Sequence, residues 1–254
     1  MHFVCLQLID FTMNLIIDVG NTLVKLAVFQ QHELFEKRVI KHEDFLKEVM
    51  QVLDKYPIIS HGIISSVGKL NQEDFQSVTS AIHLLILNSE TKLPFKNLYK
   101  TPKTLGVDRI ALVSASVDQF SNSNVLIIDS GTCITYDFIN SKNEYFGGAI
   151  SPGFRLRYQS LHNLTANLPL LEFKQPELLI GNTTDSSIHS GVVFGVLKEI
   201  DGVIDEYKKK YPHLTVILTG GDTNFLSKQL KNGIFANSNF LLEGLNFILE
   251  YNTK

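Results

Sequence analysis

Hydrophobic residues along the chain recur in short strand-like runs and in longer stretches with helical spacing. The first three runs are separated by turn-sized gaps and predict an antiparallel three-stranded meander, followed by a helix that Pro57 ends. The elements expected in this first half are strands over 14–19, 22–29, 33–40, 58–67 and 84–87 and helices over 43–56 and 71–82. Their order is βββαβαβ.

A second half repeats the meander after a polar, Pro-containing stretch at 92–105, which we interpret as a connector and substrate loop. Its expected elements are a helix over 107–120, strands over 125–129, 132–139 and 145–150, a helix over 154–168, one or two helices over 184–210, a strand over 215–219 and a helix over 240–251. The repeat predicts two halves, 13–118 and 119–254, with 1–12 as an extension of uncertain status.

The composition excludes several classes of protein. The chain has 254 residues, of which 44% are apolar, so it can bury a substantial core and disorder is not expected. The net charge is −3 and the longest basic run is Lys208-Lys209-Lys210, so neither nucleic acid nor a membrane surface is expected as a partner. Two distant cysteines without metal-ligand spacing argue against a disulfide framework or a zinc site.

The apolar stretches are too short and too interrupted for a transmembrane helix. Residues 1–12 are apolar but lack the basic region and cleavage site of a secretory signal, so no export follows from them. We therefore expect a reduced, cytoplasmic protein. Because Met13 directly precedes the first strand, a start at Met13 is an open alternative, and the leading segment is then a frayed tail or an artefact of start choice.

The segment that joins the first two strands is typical of a phosphate-binding hairpin. Gly20 allows close approach of the backbone, Asn21 and Thr22 offer donors, and Lys25 can meet negative charge. Asp18 ends the strand, where its carboxylate can hold Mg²⁺ near the phosphates of ATP. The ATP-binding candidates in this hairpin are Asp18, Val19, Gly20, Asn21, Thr22, Leu23, Val24 and Lys25.

A matching unit, LIIDSGTCITYDF, places Asp129, Gly131 and Thr132 in the relative positions of Asp18, Gly20 and Asn21. Either hairpin alone is equally consistent with a surface β-turn, and it is the repeat that favours function. Paired hairpins of this kind are typical of the actin, Hsp70 and sugar-kinase superfamily. We therefore expect an α/β fold of two duplicated ribonuclease H-like halves with mixed sheets and a central nucleotide cleft.

Five motifs, taken in order, resemble those of the type III pantothenate kinase family. They are DVGNTLVK at 18–25, LGVDR at 105–109, DSGTCITYD at 129–137, GGAISPG at 147–153 and IGNTTDSSIHSG at 180–191. The resemblance covers nearly all of residues 13–254. It implies ATP-dependent phosphorylation of pantothenate at its 4′-hydroxyl, the first committed step toward coenzyme A, by a homodimer.

The resemblance also implies roles for single residues. Asp108 matches the proton acceptor, Asp129 the ligand of an essential monovalent cation, K⁺ or ammonium, and Thr132 an ATP contact. The segment from Gly106 to Arg109 resembles the pantothenate-binding segment, in which Arg109 can bind the substrate carboxylate or stabilise transferred charge. The substrate-binding candidates are Tyr99, Gly106, Val107, Asp108, Arg109 and Thr184.

Several alternatives stay open at this point. Without the resemblance, Asp108 and Arg109 would be a charge pair at the start of a helix, and Gly220-Gly221 is as readily a turn as an approach for adenine or ribose. Another small-molecule kinase of the same superfamily would carry similar hairpins. A non-catalytic relative that uses ATP for regulation or assembly would carry them too. A superfamily does not fix a substrate.

Overall fold

The computed structural model describes residues 12–66 and 71–253. The predicted extension at 1–12 lies outside this part except for its last residue, and so does the end of the strand predicted over 58–67. The chain divides into two compact units. The first includes the described residues up to Leu93, Leu105–Ala111 and Leu242 onward, and the second comprises Pro94–Thr104 and Leu112–Leu241.

The first unit is built on a five-stranded mixed sheet in the order β3-β2-β1-β4-β5. Strands β1 to β3 form the predicted antiparallel meander, and β4 and β5 continue the sheet in parallel with β1. The elements are β1 (Met13–Val19), β2 (Val24–Gln30), β3 (Glu33–Ile40), α1 (Phe45–Lys55), β4 (Ile59–Ser66), α2 (Gln72–Ala81) and β5 (His83–Ile86).

The hydrophobic pattern explains the place of each strand in this sheet. Residues 15–17 of β1 are fully buried on both faces, as a central strand requires. Leu15, Ile17 and Val19 pack in one cluster with the buried stripe of α1. β3 alternates between exposed and half-buried residues, which suits an edge strand.

The second unit contains a six-stranded mixed sheet in the order β11-β10-β7-β8-β9-β6. The elements that follow β5 along the chain are β6 (Lys96–Asn97), α3 (Val107–Gln119), β7 (Val125–Ser130), β8 (Cys133–Ile139), β9 (Glu144–Pro152), α4 (Phe154–Asn163), α5 (Thr184–Lys210), β10 (Thr215–Thr219), α6 (Thr223–Leu226), β11 (Phe235–Ala236) and α7 (Phe240–Thr253). Its core packs α4 and α5 on β7, β8 and β10.

The two sheets repeat one topology, so the predicted duplication and the mixed α/β class are confirmed. In each, an antiparallel meander is followed by a strand that pairs in parallel with the meander's first strand and by a further parallel strand. The register repeats too. Asp18 lies opposite Ser65 of the parallel strand, and Asp129 lies opposite Thr219.

The structure corrects three details of the sequence-based expectation. The helix predicted over 154–168 ends at Asn163, because the Thr165 hydroxyl donates over 2.6 Å to the Leu161 carbonyl oxygen, the acceptor that the Thr165 amide would use in a continued helix. The stretch 92–105 is not structureless, since it contains β6 and a 3₁₀ turn at Pro102–Thr104. The short elements α6 and β11 were not predicted.

The compact units interleave along the chain, whereas the predicted halves 13–118 and 119–254 are continuous. Residues from Leu242 onward belong to the first unit; within it, Asn246 binds Asn14 and the carbonyl oxygen of Gln31. The exact domain boundaries stay a prediction. Across 12–66 and 71–253, none of the helices has the length and apolarity that crossing a bilayer demands.

Candidate active site

The first hairpin holds Asp18 in a fixed and nearly buried position at the end of β1. Its Oδ1 accepts a hydrogen bond of 2.9 Å from the Ser65 hydroxyl, and its Oδ2 lies 3.1 Å from Nζ of Lys25. Asp18 and Lys25 are partners across the antiparallel ladder, which brings their side chains together. The structure therefore pairs two of the predicted ATP-binding residues with each other.

The turn of this hairpin presents backbone and polar side chains to solvent. The amide of Gly20 donates to the carbonyl oxygen of Leu23 over 3.1 Å, and this bond closes the turn. Asn21, Thr22 and Leu23 are exposed, whereas Val19 and Val24 are fully buried and anchor the turn on the sheet. The predicted loop is thus an exposed turn held on a rigid base.

Asp108 and Arg109 lie in the first turn of α3. Oδ1 of Asp108 accepts a 2.8 Å hydrogen bond from the backbone amide of Arg109, and a carboxylate here suits the positive end of the helix dipole. A Cβ on Gly106 would overlap that same oxygen, so any other residue at this position would require the Asp108 carboxylate to move. Val107 begins the helix, and the side chain of Arg109 is buried.

The second hairpin repeats the arrangement of the first in the second unit. Asp129 is half-buried on β7, and a Cβ on Gly220, whose φ is +95°, would overlap its Oδ1 and the carbonyl oxygen of Ser130. Gly220 therefore permits a close approach of backbone to the Asp129 carboxylate. The turn alternative for Gly220 and the functional one both remain compatible with this geometry.

A cavity of about 320 Å³ opens beside the turn that follows β7. Thr132, Arg155 and Asp222 bring polar groups to its wall, and the aromatic ring of Phe173 brings an apolar one. Oδ2 of Asp222 accepts a 3.0 Å bond from the Ser130 hydroxyl, and burial raises the pKa of the Asp222 carboxyl. A phosphate or ribose group would find both donors and acceptors here.

The backbone around Thr132 is tied to the start of α4. The amide of Gly153 donates to the Thr132 carbonyl oxygen over 3.0 Å, and the Gly131 amide donates to the carbonyl oxygen of Cys133 over 2.9 Å. A Cβ on Gly153 would overlap the carbonyl oxygens of Gly131 and Thr132. Gly153 of the SPG segment therefore lets α4 begin against the hairpin.

Tyr99 is held by the edge of the second sheet. The amide of Leu98 donates to the Tyr145 carbonyl oxygen over 2.9 Å, which brings the Tyr99 ring 6.2 Å from the Tyr145 ring in a stacked arrangement. A Cβ on Gly147, whose φ is +103°, would come 2.8 Å from Cδ2 of Tyr99. The predicted substrate tyrosine thus rests on a glycine of the GGAISPG motif.

Thr184 begins α5 and lines a cavity of about 1030 Å³ between α4 and α5. Thr183 caps this helix, because its hydroxyl accepts from the Ser186 amide over 3.1 Å while the Ser186 hydroxyl accepts from the Thr183 amide. Arg157 of α4 also lines this cavity, and its guanidinium forms an ion pair with Glu199 of α5. Thr184 and Thr132 therefore line different cavities of the second unit.

Comparison with known proteins decides the family. The sequence model described as "Type III pantothenate kinase" matches residues 14–206. A "Type III pantothenate kinase" of Christiangramia forsetii is 52% identical over 94% of this chain and 99% of its own length. One from Flavobacterium johnsoniae is 49% identical over 94% of this chain and 98% of its own length.

The chain belongs to the type III pantothenate kinase family. The resemblance drawn from the five motifs is thereby confirmed. A solved structure of a ROK family protein from Streptococcus pneumoniae, determined in complex with sucrose, matches with a TM-score of 0.51 at 13% identity, over 95% of this chain and 99% of that one. That likeness shows that this type III pantothenate kinase family member shares its fold with a ROK family protein of low sequence identity.

Several residues beside the predicted ones escaped the sequence reasoning. Ser65 holds Asp18 from the parallel strand, Asp222 lines the cavity beside Thr132, and Arg157 lines the cavity that Thr184 also lines. Ser65 had a usable signal, because GIISS is the parallel counterpart of the first strand. Arg157 had none, since only the packing of α4 on α5 brings it to the cavity that Thr184 lines.

Proposed function

We propose that this chain transfers the γ-phosphoryl group of ATP to the 4′-hydroxyl of pantothenate, and so supplies 4′-phosphopantothenate for coenzyme A. The observation that carries the proposal is membership in the type III pantothenate kinase family, with near-complete coverage of both chains. Phosphoryl transfer depends mainly on positioning and on neutralising charge. The described residues supply groups for both tasks.

In the first hairpin, the ion pair between Asp18 and Lys25 would open when ATP binds. Lys25 is 39% exposed and Asp18 is 9% exposed in their side chains, so the ammonium can swing outward while the carboxylate stays. Lys25 would then bind phosphate oxygens. Asp18 retains its bond from Ser65 and has lone pairs left for a water of Mg²⁺, which offsets phosphate charge when bound.

Asp129 is our candidate for holding a monovalent cation, K⁺ or ammonium. Its carboxylate and the Ser130 carbonyl oxygen both approach Gly220, and oxygen donors of this type suit such a cation. Asp129 would fix the cation close to the Thr132 turn. In the described part of the chain, no three His, Cys, Asp or Glu side chains converge as a metal-binding group, so substrate or backbone oxygens would complete either coordination shell.

Asp108 is our candidate for the general base, because it stands at the start of α3 and is only partly buried. One of its oxygens is engaged by the Arg109 amide, which orients the carboxylate and leaves the other to receive the hydroxyl proton. Arg109 would bind the carboxylate of pantothenate. Tyr99 and Thr184 would contact the same substrate.

A homodimer is the assembly that we propose. Large apolar side chains lie exposed in the segment that joins α4 to α5, where a monomer would leave them in water: Leu164, Leu178, Leu179 and Ile180 are 83%, 67%, 70% and 81% exposed. A partner subunit would cover them and bring the pantothenate site to the subunit interface. Sedimentation that shows a fully active monomer would contradict this. We place the enzyme in the cytoplasm, where ATP and reduced thiols coexist.

The experiment that tests the function is a coupled ATPase assay on the purified full chain, with pantothenate supplied or omitted and the product identified by mass spectrometry. We expect ATP turnover only with pantothenate, together with a product one phosphoryl group heavier. Turnover with a sugar alone would favour another kinase of the superfamily. ATP binding without turnover on any of these acceptors would favour a regulatory relative.

A further inference from the structure

A third cavity, of about 670 Å³, lies in the second unit between the β8–β9 hairpin and the C-terminal end of α5. Its volume is that of a site for a small organic molecule. None of the groups assigned above to catalysis or ATP binding lines it. Its principal side chains are Phe138, Phe146, Tyr207, Tyr211, Lys209 and Lys210.

Aromatic rings form most of one wall. Tyr211 stacks on Phe138 at 4.1 Å between centroids, and the Phe146 ring lies 6.2 Å from the Phe138 ring. Phe138 is buried, but Phe146 is 52% exposed, so part of the Phe146 side chain is open to solvent in this cavity. A planar aromatic body could stack there and remove apolar surface from water.

The charge beside this wall is positive. Lys209 pairs with Glu206 over 2.6 Å, which neutralises both. Lys210 forms no ion pair with any described residue, and its Nζ lies 5.2 Å from the centroid of the Tyr211 ring. Burial raises the pKa of Tyr207, so its phenol stays a neutral hydrogen-bond donor near the same cavity.

Lysines at a helix C-terminus also complement the helix dipole, which accounts for a basic run without a ligand. Lys208 fits that explanation, because it bonds Asn232 over 2.8 Å and does not line the cavity. The dipole does not account for an exposed phenylalanine, Phe146, in the same cavity as Lys210. We propose that this cavity is a second ligand site, which takes a small organic anion with a planar aromatic body.

Gly147 connects the proposed ligand site to Tyr99, our candidate substrate tyrosine. The backbone of Gly147 forms part of the cavity wall, and the Tyr99 ring rests against the same glycine. A ligand that shifts Gly147 must therefore shift the support of Tyr99. This step rests on the proposed function, and it makes the ligand an effector of pantothenate binding, with no effect on ATP binding.

The test uses 8-anilinonaphthalene-1-sulfonate as the anionic probe and uncharged N-phenyl-1-naphthylamine as its match, in fluorescence titrations of the full chain. Phe146→Ala should weaken the sulfonate by about tenfold, since a stacked ring is lost. Lys210→Gln should weaken the sulfonate by about threefold and leave the uncharged probe unchanged. The control variants are Lys208→Gln, in the same basic run, and Phe35→Ala, an exposed phenylalanine of β3.

Binding is measured without turnover, so it tests the site even if the enzyme acts on another substrate. With pantothenate turnover established, saturating sulfonate should change KM for pantothenate by about fivefold and leave KM for ATP unchanged, and Phe146→Ala should abolish the change. Equal affinities in all four variants would overturn the site. A changed sedimentation coefficient in Phe146→Ala would overturn it too, because the patch would then be a contact between subunits. An unchanged KM for pantothenate would overturn the effector role.

Discussion

Tyr145 donates a hydrogen bond of 2.6 Å to Oδ1 of Asp137, and both side chains are fully buried. The two residues lie on neighbouring strands, β9 and β8. Tyr99 stacks on Tyr145, so the ring that we assign to pantothenate rests on a buried polar pair. A buried carboxylate needs its donors, because an unsatisfied acceptor carries the full cost of desolvation.

Tyr145→Phe should therefore lower the free energy of unfolding by about 1–3 kcal/mol. The ring remains for Tyr99 to stack on, but it is no longer anchored, so KM for pantothenate should rise more than kcat falls. Urea denaturation and steady-state kinetics would measure the two effects. Tyr251→Phe, at a 48% exposed position, is the control that should change neither. An unchanged stability would mean that other donors fully satisfy Asp137.

The meander and its hairpins could be predicted because their signals are local. Continuous apolar runs such as residues 15–17, which are buried, indicate central strands. The turn that follows Asp18 needs only Gly20 and its polar neighbours. The start of the helix predicted over 71–82 is local too, since Asn71 caps α2 with a side chain that accepts from the amide of Glu73. Family motifs added the candidate roles of Asp108 and Asp129.

Contacts between distant segments could not be predicted in this way. β6 has only two residues and exists because Lys96 and Asn97 pair with β9, some fifty residues later. Ser65 reaches Asp18 only once β4 has paired with β1. The Tyr145–Asp137 pair carries no sequence signal either, because a tyrosine and an aspartate on adjacent strands are common and only burial makes their bond important.

Glu36 gives a prediction about acid stability. Its carboxylate accepts hydrogen bonds from Lys55 at 2.6 Å, Tyr56 at 2.8 Å and Arg38 at 2.7 Å. The bond from Lys55, followed by that from Tyr56, lowers the pKa of Glu36 from 4.5 to about 2. A carboxyl group whose pKa is lower in the folded state stabilises the fold above its unfolded pKa, and this stabilisation is lost as pH falls toward the folded value.

Glu36→Gln should therefore be less stable than the parent chain at pH 7, and the difference should shrink as pH falls from 4.5 toward 2. Denaturant titrations at several pH values would measure the difference in free energy of unfolding. Glu33→Gln, an exposed carboxylate on the same strand, is the matched control. A difference that stays constant over this pH range would show that the bonds to Glu36 do not depend on its charge.

Asp129→Ala should remove the dependence of activity on K⁺ together with most of the activity, because neighbouring phosphate charge would lose its compensating cation. The measurement is initial rate against K⁺ concentration, at constant ionic strength set with a bulky cation. Asp54→Ala, at an exposed position of α1, should leave the titration unchanged. An ordinary K⁺ response in Asp129→Ala would remove this residue from the cation site.

Arg109→Ala should raise KM for pantothenate, because a guanidinium that binds a carboxylate acts mainly in recognition. Arg109 is also 6% exposed, so its loss should lower the melting temperature as well. Arg109→Lys keeps the charge without the bidentate geometry and should recover only part of the affinity. Loss of stability with unchanged KM would leave Arg109 a structural residue of α3.

Asp108→Asn isolates the proton transfer from the structure of the helix start. Asparagine keeps the oxygen that accepts from the Arg109 amide, so the first turn of α3 and the melting temperature should stay nearly unchanged. It cannot accept the hydroxyl proton, so kcat should fall by about 10²- to 10⁴-fold while the affinity for ATP changes little. Steady-state kinetics and ATP titration separate these quantities. Near-normal turnover in Asp108→Asn would return Asp108 to a charge at the start of a helix and would leave the proposed mechanism without its base.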